Sequence, residues 1–205
     1  MTIKGLQKLV SQHPGSLIII NELAGGEIVR QYISVWGQGV YPADGLPTLD
    51  EESILALLDV PTDKRKSWTV RSTPMEGVWA RILEDNAEGD KEAMELPVRL
   101  IGETAELKFF ETFLGDRPLA AIYPEYLKPV GLTREHSYWT RELISNEKTG
   151  EKSMLLIVKM GYQLAAAISL RERWAEEEKN LKALRQIQQA AEDIYNRKKS
   201  DEEET

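Results

Sequence analysis

Cysteine is absent from the 205 residues, and histidine occurs twice. The first absence excludes disulfides, thiolate zinc sites, iron–sulfur clusters and cysteine nucleophiles. The two histidines, His13 and His136, have no partner at ligand spacing, so no Ser-His-Asp arrangement can be assembled from them. Both read as exposed or capping side chains. No apolar run approaches the ~20 residues a membrane span needs. Met1-Thr2-Ile3-Lys4-Gly5-Leu6 lacks the apolar core of a signal peptide, which makes the cytoplasm the expected compartment. Neither G-x-G-x-x-G nor G-x-x-x-x-G-K-[ST] is present, so Gly37-Gln38-Gly39 and Pro42–Gly45 read as a plain loop. No cofactor, metal or catalytic residue is expected.

What is present is ordinary for a globular chain: 41% hydrophobic and 29% charged residues. Thirty-four acids against 26 bases leave a net charge of −8, which argues against broad coating of nucleic acid or anionic membrane.

The C-terminal quarter organises the reading. Met154–Val158 is a continuous apolar run. After Gly161, Tyr162, Leu164, Ala166 and Ile168 alternate with Gln163, Ala165, Ala167 and Ser169, the period of a strand. Lys152–Ser169 therefore reads as two strands with a turn at Gly161; one helix from Ser153 to Lys199 is the rival. From about Arg171 the period becomes helical. Trp174, Leu181, Leu184, Ile187, Ala191, Ile194 and Tyr195 form one apolar stripe on a helix about 40 Å long at 1.5 Å per residue. Such a helix exceeds a small core, so part of the stripe is expected to meet a second copy or another protein. The competing account docks it along its own domain.

Upstream, Ile3–Val10 reads as a helix ended by His13-Pro14-Gly15, Leu17–Ile20 as a strand, and Glu27–Trp36 as its return after Ala24-Gly25-Gly26. Thr48-Leu49-Asp50-Glu51 has the form of a capping box for a short helix that ends before Pro61. Strands are expected at Trp68–Arg71, Val78–Leu83, Leu96–Ile101, Ala105–Phe113, Pro118–Ile122 and Tyr138–Ser145, and a helical turn at Pro124–Leu127. The fold class is α+β: antiparallel hairpins, short intervening helices and a long C-terminal amphipathic helix. The expected parts are an N-terminal lobe (1–86), a β-hairpin lobe (96–170), the helix (171–199) and an acidic tail (200–205).

Two patterns could carry chemistry. Glu106-Leu107-Lys108 on a strand, with Asp85 or Asp90, resembles in outline a carboxylate–lysine set for magnesium-dependent cleavage of a phosphodiester, although an ordinary solvent face is the usual explanation of such a pattern. Trp79-Ala80-Arg81 and Trp139-Thr140-Arg141 on strands would each present an indole beside a guanidinium, able to stack a base and meet a phosphate, or to pair with each other structurally. The leading expectation is a non-enzymatic binding or adaptor protein that pairs with a protein partner or self-associates through the C-terminal helix. The alternative is a DNA-metabolism factor using the Trp/Arg faces, or Glu106 and Lys108.

Overall fold

The computed structural model describes residues 1–12, 14–83, 95–112, 120–146, 151–171 and 174–203. Among these, side-chain surroundings are described except at 112, 144–146, 151, 174, 191–192 and 194–203. Helix α1 (Ile3–Val10) precedes strands β1 (Ser16–Ala24), β2 (Glu27–Val35) and β3 (Gly39–Pro42). Helix α2 (Glu51–Leu57) and a 3₁₀ turn (Thr62–Ser67) lead to β4 (Thr69–Pro74) and helix α3 (Val78–Leu83). There follow β5 (Glu95–Glu103), β6 (Lys108–Thr112), β7 (Ala120–Ile122), a 3₁₀ stretch (Pro124–Val130), β8 (His136–Asn146), β9 (Glu151–Met160) and β10 (Gln163–Ser169). A 3₁₀ turn (Trp174–Glu176) and helix α4 (Glu178–Glu203) complete the order. The content is mixed α+β, as expected. Among the described residues, no helix is long and apolar enough to cross a membrane.

Two compact units emerge, residues 1–97 with 125–170 and residues 98–124 with 171–205. In the first, strand order is β4-β1-β2-β3-β10-β9-β8. Leu17, Ile18, Ile19 and Ile20 are all buried, so β1 is covered on both faces, and each side chain contributes on the order of 2 kcal/mol. Ile18 and Ile20 join Tyr32, Leu143, Leu155 and Ile157 in one cluster, onto which Met75, Trp79 and Ile82 pack. Adjacent strands run antiparallel except β4, which pairs parallel with β1. On β4, Ser72 donates its amide to the Glu51 carboxylate at 3.1 Å.

In the second unit the order is β5-β6-β7. Leu107, Phe109, Ala121 and Leu184 form its core, with Ile101, Tyr123, Leu181 and Ile187 packed around it.

Several local expectations are corrected. Val78–Leu83 is helix, not strand: Val-Trp-Ala-Arg-Ile-Leu is apolar at both periods, and Trp79, Ile82 and Leu83, at i, i+3 and i+4, share the helical face that meets the cluster. Gly39–Pro42 is a buried strand rather than loop, anchored by the Tyr41 hydroxyl donating to the Tyr126 carbonyl at 2.7 Å. The capping box forms at Asp50 and Ser53, not at Thr48 and Glu51, because the Asp50 carboxylate takes the amides of Glu52 and Ser53. Strand β6 begins only at Lys108, since the Thr104 hydroxyl accepts the amides of Glu106 and Leu107 and holds them in a turn. The C-terminal helix begins at Glu178, not near Arg171. The expected turn at Leu114–Arg117 lies outside the described residues, as does Asn146–Gly150 beyond its first residue.

Helix α1 lies close to the Pro124–Val130 stretch, and a methyl group on Gly5 would sit 2.1 Å from the Lys128 carbonyl oxygen. Backbone cannot yield there as a flexible side chain would. Gly5→Ala is expected to lower stability by about 1–3 kcal/mol, measured by urea unfolding, while Lys4→Ala on the same helix stays within about 0.5 kcal/mol.

Candidate interaction surface

The Trp139/Arg141 motif resolves into a knot around a buried arginine, to which Arg81 lends its backbone carbonyl. Arg141, on β8, is 5% exposed. Its Nε donates to the Glu95 carboxylate at 2.8 Å, and its Nη1 to the carbonyls of Ile82 and Arg81 at 2.9 and 3.3 Å. A cation therefore sits on carbonyls at the C-terminal end of α3, where the helix dipole favours positive charge. Lys159 reaches the other Glu95 oxygen at 2.9 Å and lies over the Trp139 ring, 5.8 Å from its centroid. Burial pushes the Glu95 carboxyl up, but the hydrogen bonds from Lys159 and Arg141 outweigh it and leave the group below its ordinary value. Trp139 also donates its indole N–H to the Ser137 hydroxyl at 3.2 Å. Trp79 packs on the cluster from α3, where residues two apart point about 200° apart, so Trp79 and Arg81 share no face.

The Glu106–Lys108 arrangement also differs from the expectation. Glu106 lies in the turn before β6 and accepts from Lys179 at 2.6 Å, a contact that lowers its carboxyl. Lys108 pairs instead with Glu103. Asp85 and Asp90 lie outside the described residues, and among the described residues no group of three potential metal ligands occurs. His136 accepts the Thr133 amide at its Nδ1, 3.0 Å away, a capping role; His13 lies outside the described residues.

Of the helical stripe, Leu181, Leu184 and Ile187 face Leu107, Phe109 and Ala121, within the core of the second unit. Gly102 admits Ile187: a methyl there would lie 2.5 Å from its Cγ2. Trp174 sits in the 3₁₀ turn, while Ala191, Ile194 and Tyr195 are on α4; the side chains of these four lie outside the description.

A different surface is open, one that period-matching along the sequence does not reveal. Strand β3 ends at Pro42, opposite Tyr32, so β2 is buried from Gln31 to Val35 but exposed from Glu27 to Arg30. Leu23 and Ile28 are cross-strand partners at that end, and Val29, left unpaired by a bulge between Ile28 and Arg30, is 57% exposed. Val35, Gly39 and Ile168 stand side by side, with β10 beginning at Gln163, so the β9–β10 tip points the same way as the β1–β2 tip. That second tip carries Met160 and Tyr162, the tyrosine 96% exposed. Both tips are two-residue turns, Gly25-Gly26 with φ of 62° and 87°, and Gly161-Tyr162 with φ of 62° at the glycine. These are the tight turns matched to strand twist, so the apolar side chains ride on a rigid frame. Five of the exposed large apolar side chains of the first unit thus gather at one end of its sheet.

Beside the β1–β2 tip runs a shallow groove of about 170 Å³ between Ile28–Gln31 and the Ala43–Thr48 segment. The buried Gln31 amide fixes its far wall. It accepts the Leu49 amide at 2.7 Å and donates to the Leu49 carbonyl at 3.1 Å and to Asn21 at 2.7 Å. Arg30 lies 3.8 Å from Glu22 and 3.7 Å from Asp44.

No protein-family model, curated protein or solved structure matches the chain.

The knot yields two expected outcomes. Arg141→Ala leaves Glu95 facing a buried region with one cation fewer, and a loss of about 3 kcal/mol is expected in urea unfolding. Because the Glu95 carboxyl titrates lower when folded, its stabilising effect is present above the ordinary value of 4.5 and is lost as pH falls through the lower folded value. Wild type should therefore lose more stability than Glu95→Gln as pH falls below the ordinary carboxyl value of 4.5, read as the shift in urea midpoint.

Proposed function

We propose that this chain is a non-enzymatic protein-binding or adaptor protein, acting in the cytoplasm. The observation that supports this reading is the apolar end of the first unit, where Leu23, Ile28, Val29, Met160 and Tyr162 stand exposed in or beside two tight turns. Monomeric surfaces scatter such residues singly, and a gathered set marks a contact site. Pre-set turns lose little entropy on docking, and aromatic residues supply much of the energy of interfaces. Covering these side chains would return on the order of 1–2 kcal/mol each.

The C-terminal helix keeps a part in this proposal. Leu181, Leu184 and Ile187 serve the core of their own unit, so a contact through a long amphipathic helix would fall to its continuation, at Ala191, Ile194 and Tyr195. The partner is either another protein or a second copy of this chain.

Val29→Asp combined with Tyr162→Asp changes only exposed side chains, so the melting temperature should hold within a few degrees. Proteins that co-purify with the full-length chain from its native cells, together with any oligomer seen by sedimentation, are expected to fall at least about tenfold with this double variant. Equal recovery and equal size for both forms would reject the surface as a binding site.

A further inference from the structure

The apolar end has a charged border, and the charge has a sign. Glu22 and Glu27 flank the β1–β2 tip, Asp44 lies across the groove, Glu76 follows the end of β4, and Glu135 precedes His136, the residue paired with Met160. Among the described residues, the bases on these same segments are Arg134 and Arg30, and Arg30 is already held between Glu22 and Asp44. Lys159 is one residue from Met160, but its ammonium is turned to Glu95 and the Trp139 ring. At the β9–β10 tip on this same end stands the Tyr162 ring, 96% exposed, a face that attracts cations.

Resting on the binding role argued above, we propose that the occupant of this end is a basic segment of another protein, one that presents apolar anchors among lysines or arginines. Apolar anchors cover Leu23, Ile28, Val29 and Met160, while cations meet the acidic border and the tyrosine face. Opposite charge across an interface steers encounter and suppresses wrong partners. The same rule disfavours a second copy, since two such ends would bring like charge together.

Two fluorescently labelled peptides of identical leucine spacing test this chemistry, one with lysine and one with glutamate at every polar position. Each is titrated by anisotropy against the full chain at physiological salt. The lysine peptide is expected to bind at least about tenfold more tightly than its glutamate twin. Combined Glu27→Gln, Asp44→Asn and Glu135→Gln should shrink that preference. Val29→Asp with Tyr162→Asp is the decisive variant. It adds two negative charges, so diffuse attraction would tighten the lysine peptide, whereas a defined apolar site with a cation-facing tyrosine weakens it. Equal affinity for the two peptides, no binding of either, or tighter binding by the double aspartate variant would each overturn the basic-partner inference. So would a wild-type dimer that the double variant dissolves, which would make the occupant a second copy. A loss of co-purifying proteins with the double variant, alongside indifference to peptide charge, would reject the partner's chemistry and leave the binding role intact.

Discussion

Removing a guanidinium from water carries a penalty of several kcal/mol, and a fold that does so must supply partners for it. Arg141 is such a group, and its partners come from separated parts of the chain: the last turn of α3, the first residue of β5, and, through the shared carboxylate, Lys159 on β9. This requirement places α3 where it is. A helix of six residues has little stability of its own, so it persists through what it packs on and through what takes its terminal carbonyls. Arg141 does the second, while Trp79 and Ile82 pressed onto the sheet cluster do the first. The Trp139/Arg141 pair thus reads as architecture: the Arg141 guanidinium is directed inward.

The exposed end of the first unit follows from another constraint, the shortness of β3. Four residues can cover only Tyr32 to Val35, which leaves the outer half of β2 projecting with β1 as its sole described neighbour in the ladder. Gln31 sits at the boundary and spends both ends of its amide on Leu49, turning the chain away after β3. Beyond that point Leu23, Ile28 and Val29 stay about half exposed, with the Ala43–Thr48 segment facing Ile28 and Val29 across the shallow groove. Their exposure is a product of where one strand stops.

Much of the strand pattern could be read from residue order. Gly25-Gly26 and Gly161-Tyr162 sit between apolar runs that alternate or are buried on both faces, and only a turn satisfies them. Local chemistry hid the rest. The hydroxyl of Thr104 and the carboxylate of Asp50 take backbone amides that a motif search gives to other residues, moving a strand start and a helix cap. In Val78–Leu83 both periods fit, and tertiary packing decided for helix. The open surface was the least legible part, because Ile28 and Val29 are chemically like the buried Ile33 and Val35. Nothing in the letters says which pair a neighbouring strand will cover. Leu181, Leu184 and Ile187 show the opposite case: an apolar stripe legible as a helix face, whose own unit supplies the partner.

Strand β4 ends the first unit's strand order, the position from which one molecule could add to another by main-chain pairing. There the Ser72 amide is already engaged by Glu51, and Pro74 at the strand's end has no amide to give. Any recruit attempting to extend that border meets an occupied donor and then a missing one, and a carboxylate stands in the path of its own carbonyls. The arrangement disfavours open-ended polymerisation at this margin.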